Sequence, residues 1–166
     1  MAYANGIVYG GTSVYGGNGS VPAHDNARVF AFDLRTRTVV WSVEVTGQRQ
    51  VTSLQVTPGR QVWAATRGTL HSFDTDDGHQ RAFHEIAPFD WGSFPGGTWH
   101  GTDLAFDPTT NRLYGSVGGK LINIRPLGRP DLQVLGNTGG VHLVLGPDHR
   151  VYFVSGQQLK SIDWRG

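Results

Sequence analysis

Gln61-Val62-Trp63-Ala64 and, after a short break, Leu70-His71-Ser72-Phe73-Asp74 form one copy of a unit that this chain uses four times. The other copies are Ile7-Val8-Tyr9-Gly10 with Val29-Phe30-Ala31-Phe32-Asp33, Arg112-Leu113-Tyr114-Gly115 with Leu121-Ile122-Asn123-Ile124-Arg125, and Arg150-Val151-Tyr152-Phe153 with Leu159-Lys160-Ser161-Ile162-Asp163. From aromatic to closing residue, three copies span 11 positions (63 to 74, 114 to 125, 152 to 163), and the first spans 24 (9 to 33). Short apolar runs at a fixed repeat distance are the signature of propeller blades. The thirteen extra residues of the first copy mark an addition to that scaffold.

Composition agrees with an all-β chain. In 166 residues there are 24 Gly, 5 Trp, 5 Tyr and 8 Phe, which suits short strands and tight turns rather than helices. No window holds apolar residues at helical spacing. The length suggests one domain. A net charge of +1 argues against non-specific binding to nucleic acid or an anionic membrane. The absence of cysteine excludes disulfides, thiolate metal sites and thiol nucleophiles. Residues 1–5 carry no basic region or apolar stretch, so no signal peptide is visible. No apolar run approaches the roughly 20 residues needed to cross a bilayer. The chain reads as soluble, its compartment open.

Each repeat divides into up to four antiparallel strands, A (innermost) to D (outermost), in blades at about 5–47, 51–87, 101–135 and 141–166. The second blade is complete, with turns at Thr57-Pro58-Gly59-Arg60, Arg67-Gly68 and Asp77-Gly78, where Pro fixes φ and Gly allows it to be positive. The tally is three, four, four and three strands. The first blade is expected to lack its innermost strand, because residues 1–5 look too short and polar to supply one, and the last to lack its outermost. Broken blades leave unpaired strand edges, which points to association with a further copy or with the remainder of a larger propeller; the alternative is a small, strained four-blade closure.

The run Ala31-Phe32-Asp33-Leu34-Arg35-Thr36-Arg37-Thr38-Val39-Val40-Trp41 resembles the blade motif of the quinoprotein-dehydrogenase-like (PQQ-like) and YVTN-like propeller superfamily. Ser72-Phe73-Asp74-Thr75-Asp76-Asp77-Gly78 is similar in weaker form, and Gly10-Gly11-Thr12-Ser13 looks like part of the C-terminal half of large bacterial propeller proteins. The resemblance implies a propeller. Members that hold a quinone carry a vicinal disulfide, a stacking Trp and calcium ligands. This chain has no cysteine and no recognisable calcium cluster, so no cofactor and no metal are expected.

Antiparallel alternation sends the B–C and D–A connections to one rim and the A–B and C–D turns to the other. The two largest excursions, 15–27 and 87–101, share the B–C/D–A rim, and loops on a rigid scaffold carry function. In the first, His24 could serve as acid or base with Asp25 orienting it, Tyr15 as acid, and Arg28 as a carboxylate clamp beside Asn26. An Asx-turn at Asp25-Asn26 explains the same residues structurally. In the second, Trp91, Phe94 and Trp99 could stack on a ligand or seal a seam, and His100 borders an inner strand as the stronger candidate base. Arg67 and Lys120 lie at B–C turns of the same rim. Asp74-Thr75-Asp76-Asp77-Gly78 reads as a hairpin rather than a calcium loop. His79 and His84 read as surface residues, and His142 as a core or channel-lining one.

Three functions remain open. The first is a binding propeller that recognises a glycan or protein partner. The second is an enzyme acting on acidic polysaccharide as lyase or hydrolase, which needs a base beside a cation that neutralises the uronate. The third is an assembly scaffold joined through open strand edges.

Overall fold

The structure, a computed structural model, describes residues 1–15, 23–89, 101–127, 131–137, 142–148 and 150–163. Its strands are β1 (Ala2–Ala4), β2 (Ile7–Gly11), β3 (Arg28–Asp33), β4 (Thr38–Glu44), β5 (Ser53–Thr57), β6 (Gln61–Ala65), β7 (Thr69–Asp74) and β8 (Gln80–Glu85). They continue as β9 (Asp103–Asp107), β10 (Arg112–Val117), β11 (Lys120–Ile124), β12 (Leu132–Asn137), β13 (Leu143–Leu145), β14 (Arg150–Ser155) and β15 (Gln158–Asp163). Four antiparallel sheets result: β1 to β4, β5 to β8, β9 to β12 and β13 to β15, each in chain order. This is a run of propeller blades. β1, β5, β9 and β13 pack against one another in series as the inner strands. Among the described residues no comparable packing joins β13 back to β1.

One strand expectation is corrected. The first blade has an inner strand after all, with Ala2↔Tyr9, Tyr3↔Val8 and Ala4↔Ile7 paired. The reason is Asn5-Gly6, both at positive φ (52° and 82°), the two-residue turn whose twist matches flanking strands. A turn of only two residues leaves room for a three-residue strand before it. The fourth blade shows three strands among the described residues.

Apolar residues fill the seams between blades. Tyr9, Ala31, Trp41, Val62, Ala64 and Phe73 pack in the first seam. Trp63, Leu70, Leu104, Leu113, Ile122 and Ile124 fill the second, and Tyr114, Leu121, Leu143, Val151 and Phe153 the third. Side-chain staples reinforce them. Trp41 Nε1 donates to Thr75 O across 2.9 Å, joining blade 1 to the C–D turn of blade 2. The hydroxyls of Thr52 and Thr102 bond across the second seam, and Leu143 N donates to Asp103 Oδ2 (3.1 Å) across the third. In each complete blade the outermost pair is irregular: one extra residue, Val40, Arg81 or Leu135, bulges from strand D.

Gly78, in the Asp77-Gly78 hairpin, has φ +74°, and a Cβ there would lie 2.7 Å from the Trp41 ring. Gly6 has φ +82° with nothing within 4 Å of that position. Gly6→Ala therefore tests backbone strain alone, about 1 kcal/mol. Gly78→Ala adds a clash in the seam and is expected to lose about 2 kcal/mol. Urea unfolding of both variants checks this, and equal losses would show that the Trp41 contact is soft.

Candidate functional site

The described ends of both long connectors, 15 and 23–27 for the first, 87–89 and 101 for the second, lie on the B–C/D–A rim, as the topology requires. The first loop is tied at its base to the connector between blades 1 and 2. Val14 N donates to Arg49 O (2.9 Å), Val51 N to Thr12 O (3.0 Å) and Ala27 N to Gln48 O (2.6 Å), and Ser13 forms a bridge with Gln50. Arg49 Nη1 reaches the Tyr15 hydroxyl oxygen at 3.5 Å. The loop thus leaves the sheet from a fixed root.

The candidate residues divide into four groups. His24 and Asp25 are exposed. Asn26, Arg28 and Lys120 are engaged within the fold. Asn26 Oδ1 accepts from Gly47 N (2.8 Å), and its Nδ2 donates to Glu44 Oε2 (3.4 Å). Arg28 pairs with Glu44 at 2.9 Å and donates to both the hydroxyl and the carbonyl of Ser42. A ligand carboxylate would therefore have to displace an existing ion pair. Lys120 Nζ donates to Asn137 Oδ1 at 2.7 Å. Arg67 stands over the Phe89 ring, 4.9 Å from its centre, and its Nε is buried with no hydrogen-bond partner among the described residues. Trp91, Phe94, Trp99 and His100 lie outside the described residues.

The root of the second connector is equally fixed. Ile86 N and Ala87 N both donate to Gly68 O (2.9 and 3.0 Å). Ala87 also touches Gly118, which has φ +58°, so the B–C turns of blades 2 and 3 flank the connector where it departs.

One histidine differs from its sequence reading, and a second, His71, carried none. His84 is not a surface residue: its ring stacks on Trp63 at 6.2 Å, and burial lowers its pKa. His71 sits in β7, where every residue is buried. Its Nε2 is 2.8 Å from Thr69 Oγ1, which meets Thr66 Oγ1 at 2.6 Å, and Thr66 donates to Gln48 Oε1 at 2.8 Å. A polar thread thus runs from the rim into the first seam. Burial holds the His71 pKa down to about 4, with Gln80 opposing and His84 adding to the shift. Its place at the centre of an apolar run was the sequence signal for a buried histidine. His142 is exposed rather than enclosed in the core.

The opposite rim carries a pocket of about 510 Å³ in the first seam. Ile7, Tyr9, Ala31, Val40 and Val56 give it apolar walls, and the exposed Arg60–Asp76 ion pair borders them. Burial and the Asp76 charge raise the Tyr9 pKa. Sequence reading gave no weight to this side because its turns are short; the concavity arises where two of them, at Asn5-Gly6 and Pro58-Gly59, face one another across the seam. The adjacent Asp74-Thr75-Asp76-Asp77-Gly78 hairpin is held by Asx bonds, Asp76 N to Asp74 Oδ1 and His79 N to Asp77 Oδ1, each 2.8 Å.

Fold and loop placement together define a β-propeller whose rims differ. No protein-family model and no curated protein matches the chain. Among solved structures it is similar to BamB from Moraxella catarrhalis, with a TM-score of 0.55 and 19% identity over 82% of this chain and 43% of that one. It is likewise similar to the Cps50 (Swd1) β-propeller domain of Myceliophteria thermophila, with a TM-score of 0.59 and 16% identity over 84% and 46%. At such identities the likeness is one of fold, and the chain spans less than half the length of either propeller. Among the described residues no helix is long and apolar enough to cross a membrane.

Proposed function

We propose that this chain is a non-catalytic binding propeller whose ligand is a protein, gripped by the rim that bears the two long connectors. The observation that carries this reading is the shared placement of those connectors, each rooted by backbone hydrogen bonds to rigid sheets. The two roots spread over three blades, a span suited to a macromolecular face rather than to one small ligand. Two cations on this rim are engaged within the fold, Arg28 by Glu44 and Lys120 by Asn137, which weakens the case for an acidic glycan held by those two. The same engagement weakens a lyase reading at two of its three uronate-neutralising candidates, Arg28 and Lys120, and leaves Arg67 as the third. Trp91, Phe94 and Trp99 supply aromatic anchors of the kind that dominate protein interfaces.

Affinity capture from cell extract, quantified by mass spectrometry, tests this. A protein held by the wild-type chain is expected to bind the triple variant Trp91→Ala, Phe94→Ala, Trp99→Ala at least about tenfold more weakly. Unchanged capture overturns the assignment to this rim. If Val40→Asp alone releases the protein, the contact belongs to the opposite rim and its pocket. Binding to a glycan array that the triple variant abolishes makes the ligand a sugar.

A further inference from the structure

The pocket in the first seam has apolar walls because blade 1 departs from its own repeat at two positions. One lies two residues before the blade aromatic, and the other is that aromatic's cross-strand partner on strand C. Blade 2 has Gln61 and Ser72 there, with Gln61 Oε1 accepting from Trp63 Nε1 (3.1 Å). Blade 3 has Arg112 and Asn123, joined at 2.7 Å, and blade 4 has Arg150 and Ser161, joined at 2.9 Å. Blade 1 has Ile7 and Ala31, with no polar atom on either side chain and only a methyl on the second. Polar side chains fill this place in the other blades, whereas here it opens as a cavity of about 510 Å³. Both blades that wall it have four strands.

Arg60, at the mouth, gives a second observation. It holds φ +60° immediately before β6, a backbone conformation that is costly for a residue with a long side chain. The equivalent places before β2 and β10 hold Gly6 (φ 82°) and Asn111 (φ 52°), residues that adopt it readily. Strain kept where an easier residue would serve points to a use for the side chain. Its guanidinium is only partly engaged. Nη2 meets Asp76 Oδ2 and stands 3.6 Å from Asp74 Oδ1, while Nε and Nη1 make no hydrogen bond among the described residues. The acids beside it are engaged on both oxygens. Asp76 Oδ1 accepts from Thr75 Oγ1 (3.0 Å), Asp74 Oδ1 accepts from Asp76 N (2.8 Å), and Asp74 Oδ2 pairs with Arg81. What the mouth offers an incoming group is therefore donors, and donors on a cation suit an anion.

We propose that this pocket binds a small carboxylic acid with an apolar body, the body against Ile7, Ala31, Val40 and Val56 and the carboxylate on the unused N–H groups of Arg60. The volume lies within the range of small-molecule sites, about 300–1,000 Å³. Apolar walls with one charged group at the entrance fix such a ligand in a single direction, since the body gains from burial and the head keeps a charged partner. The pocket is on the rim opposite the two long connectors, so it is independent of the function proposed above.

Isothermal titration calorimetry with naphthylacetate, naphthylethanol and naphthylethylamine tests this, one body carrying an anionic, a neutral or a cationic head. The acid is expected to bind about tenfold more tightly than the alcohol, and the amine more weakly than either. Arg60→Asn installs the residue type that blade 3 uses at this turn. It is expected to erase the advantage of the acid and to leave the affinity for the alcohol unchanged. Ile7→Arg combined with Ala31→Asn copies the blade 3 pair into blade 1 and is expected to remove binding of all three, with circular dichroism to verify the strands. Val40→Glu, at a wall position 50% exposed, serves if that double exchange fails to fold, and is expected to weaken the acid but not the amine. No binding of the acid, equal affinity for acid and alcohol, a preference for the amine, an unchanged acid-to-alcohol ratio in Arg60→Asn, binding that survives the folded double exchange, or insensitivity of the acid to Val40→Glu overturns the proposal.

Discussion

Trp41→Ala is expected to lower stability by about 3–5 kcal/mol, the range for truncating a buried Trp. Three effects act together at this site. The indole is 8% exposed and fills the first seam beside Tyr9, with ring centres 6.0 Å apart. Its Nε1 bond to Thr75 O fastens blade 1 to the next blade's turn, and its loss leaves a carbonyl without that donor. Gly78 approaches the ring so closely that the cavity cannot be filled from that side without moving the hairpin. For a domain stable by about 5–15 kcal/mol this is a large fraction. Urea unfolding measures it. Trp41→Phe, which keeps most of the packing, is expected to lose about half as much. A Trp41→Ala loss below about 1 kcal/mol would mean that the seam does not depend on this residue.

Stability is also expected to fall as the medium is acidified from pH 6.5 to pH 4, through His71. The unfolded chain binds a proton on this side chain near pH 6.5, whereas the folded chain resists until about pH 4. Between those values the unfolded state holds more protons, so stability is complete above the window and drains away on descent through it. A shift of that size corresponds to about 3 kcal/mol at the acid end. His84, lowered by burial, adds in the same direction. Asp33, Asp74, Asp107 and Asp148 have lowered pKa values too, but their contribution is lost below the ordinary carboxylate range, under the histidine window. Unfolding free energies at pH 7 and pH 5 for wild type and His71→Leu separate these effects. The variant is expected to show a clearly shallower slope. An unchanged slope would assign the pH response elsewhere.

The repeat made the blades legible, because strand C at 69–74 and strand B at 112–117 are set by local alternation and by turns whose chemistry is unambiguous. Strand pairing between Met1 and Asn5 was legible in principle through Asn5-Gly6 but was outweighed by the shortness of the segment. The common rim of the two connectors follows from topology alone. The fate of individual side chains does not. Arg28 looks like a free clamp in sequence, yet cross-strand register sets it opposite Glu44. His84 reads as solvated in an alternating outer strand, yet the neighbouring blade lies over that face. The pocket beside Arg60 depends on how two turns from different blades meet, which no single segment encodes.

The bulge in each complete outer strand has a consequence for behaviour in a crowded cell. An extra residue at Val40, Arg81 or Leu135 twists the last strand and spoils the even ladder that an incoming extended peptide needs. Three blades thus discourage amyloid-like stacking at their periphery. β15 pairs with β14 as regularly as the corresponding strands of the other blades do, so the irregularity is confined to the outermost pairs.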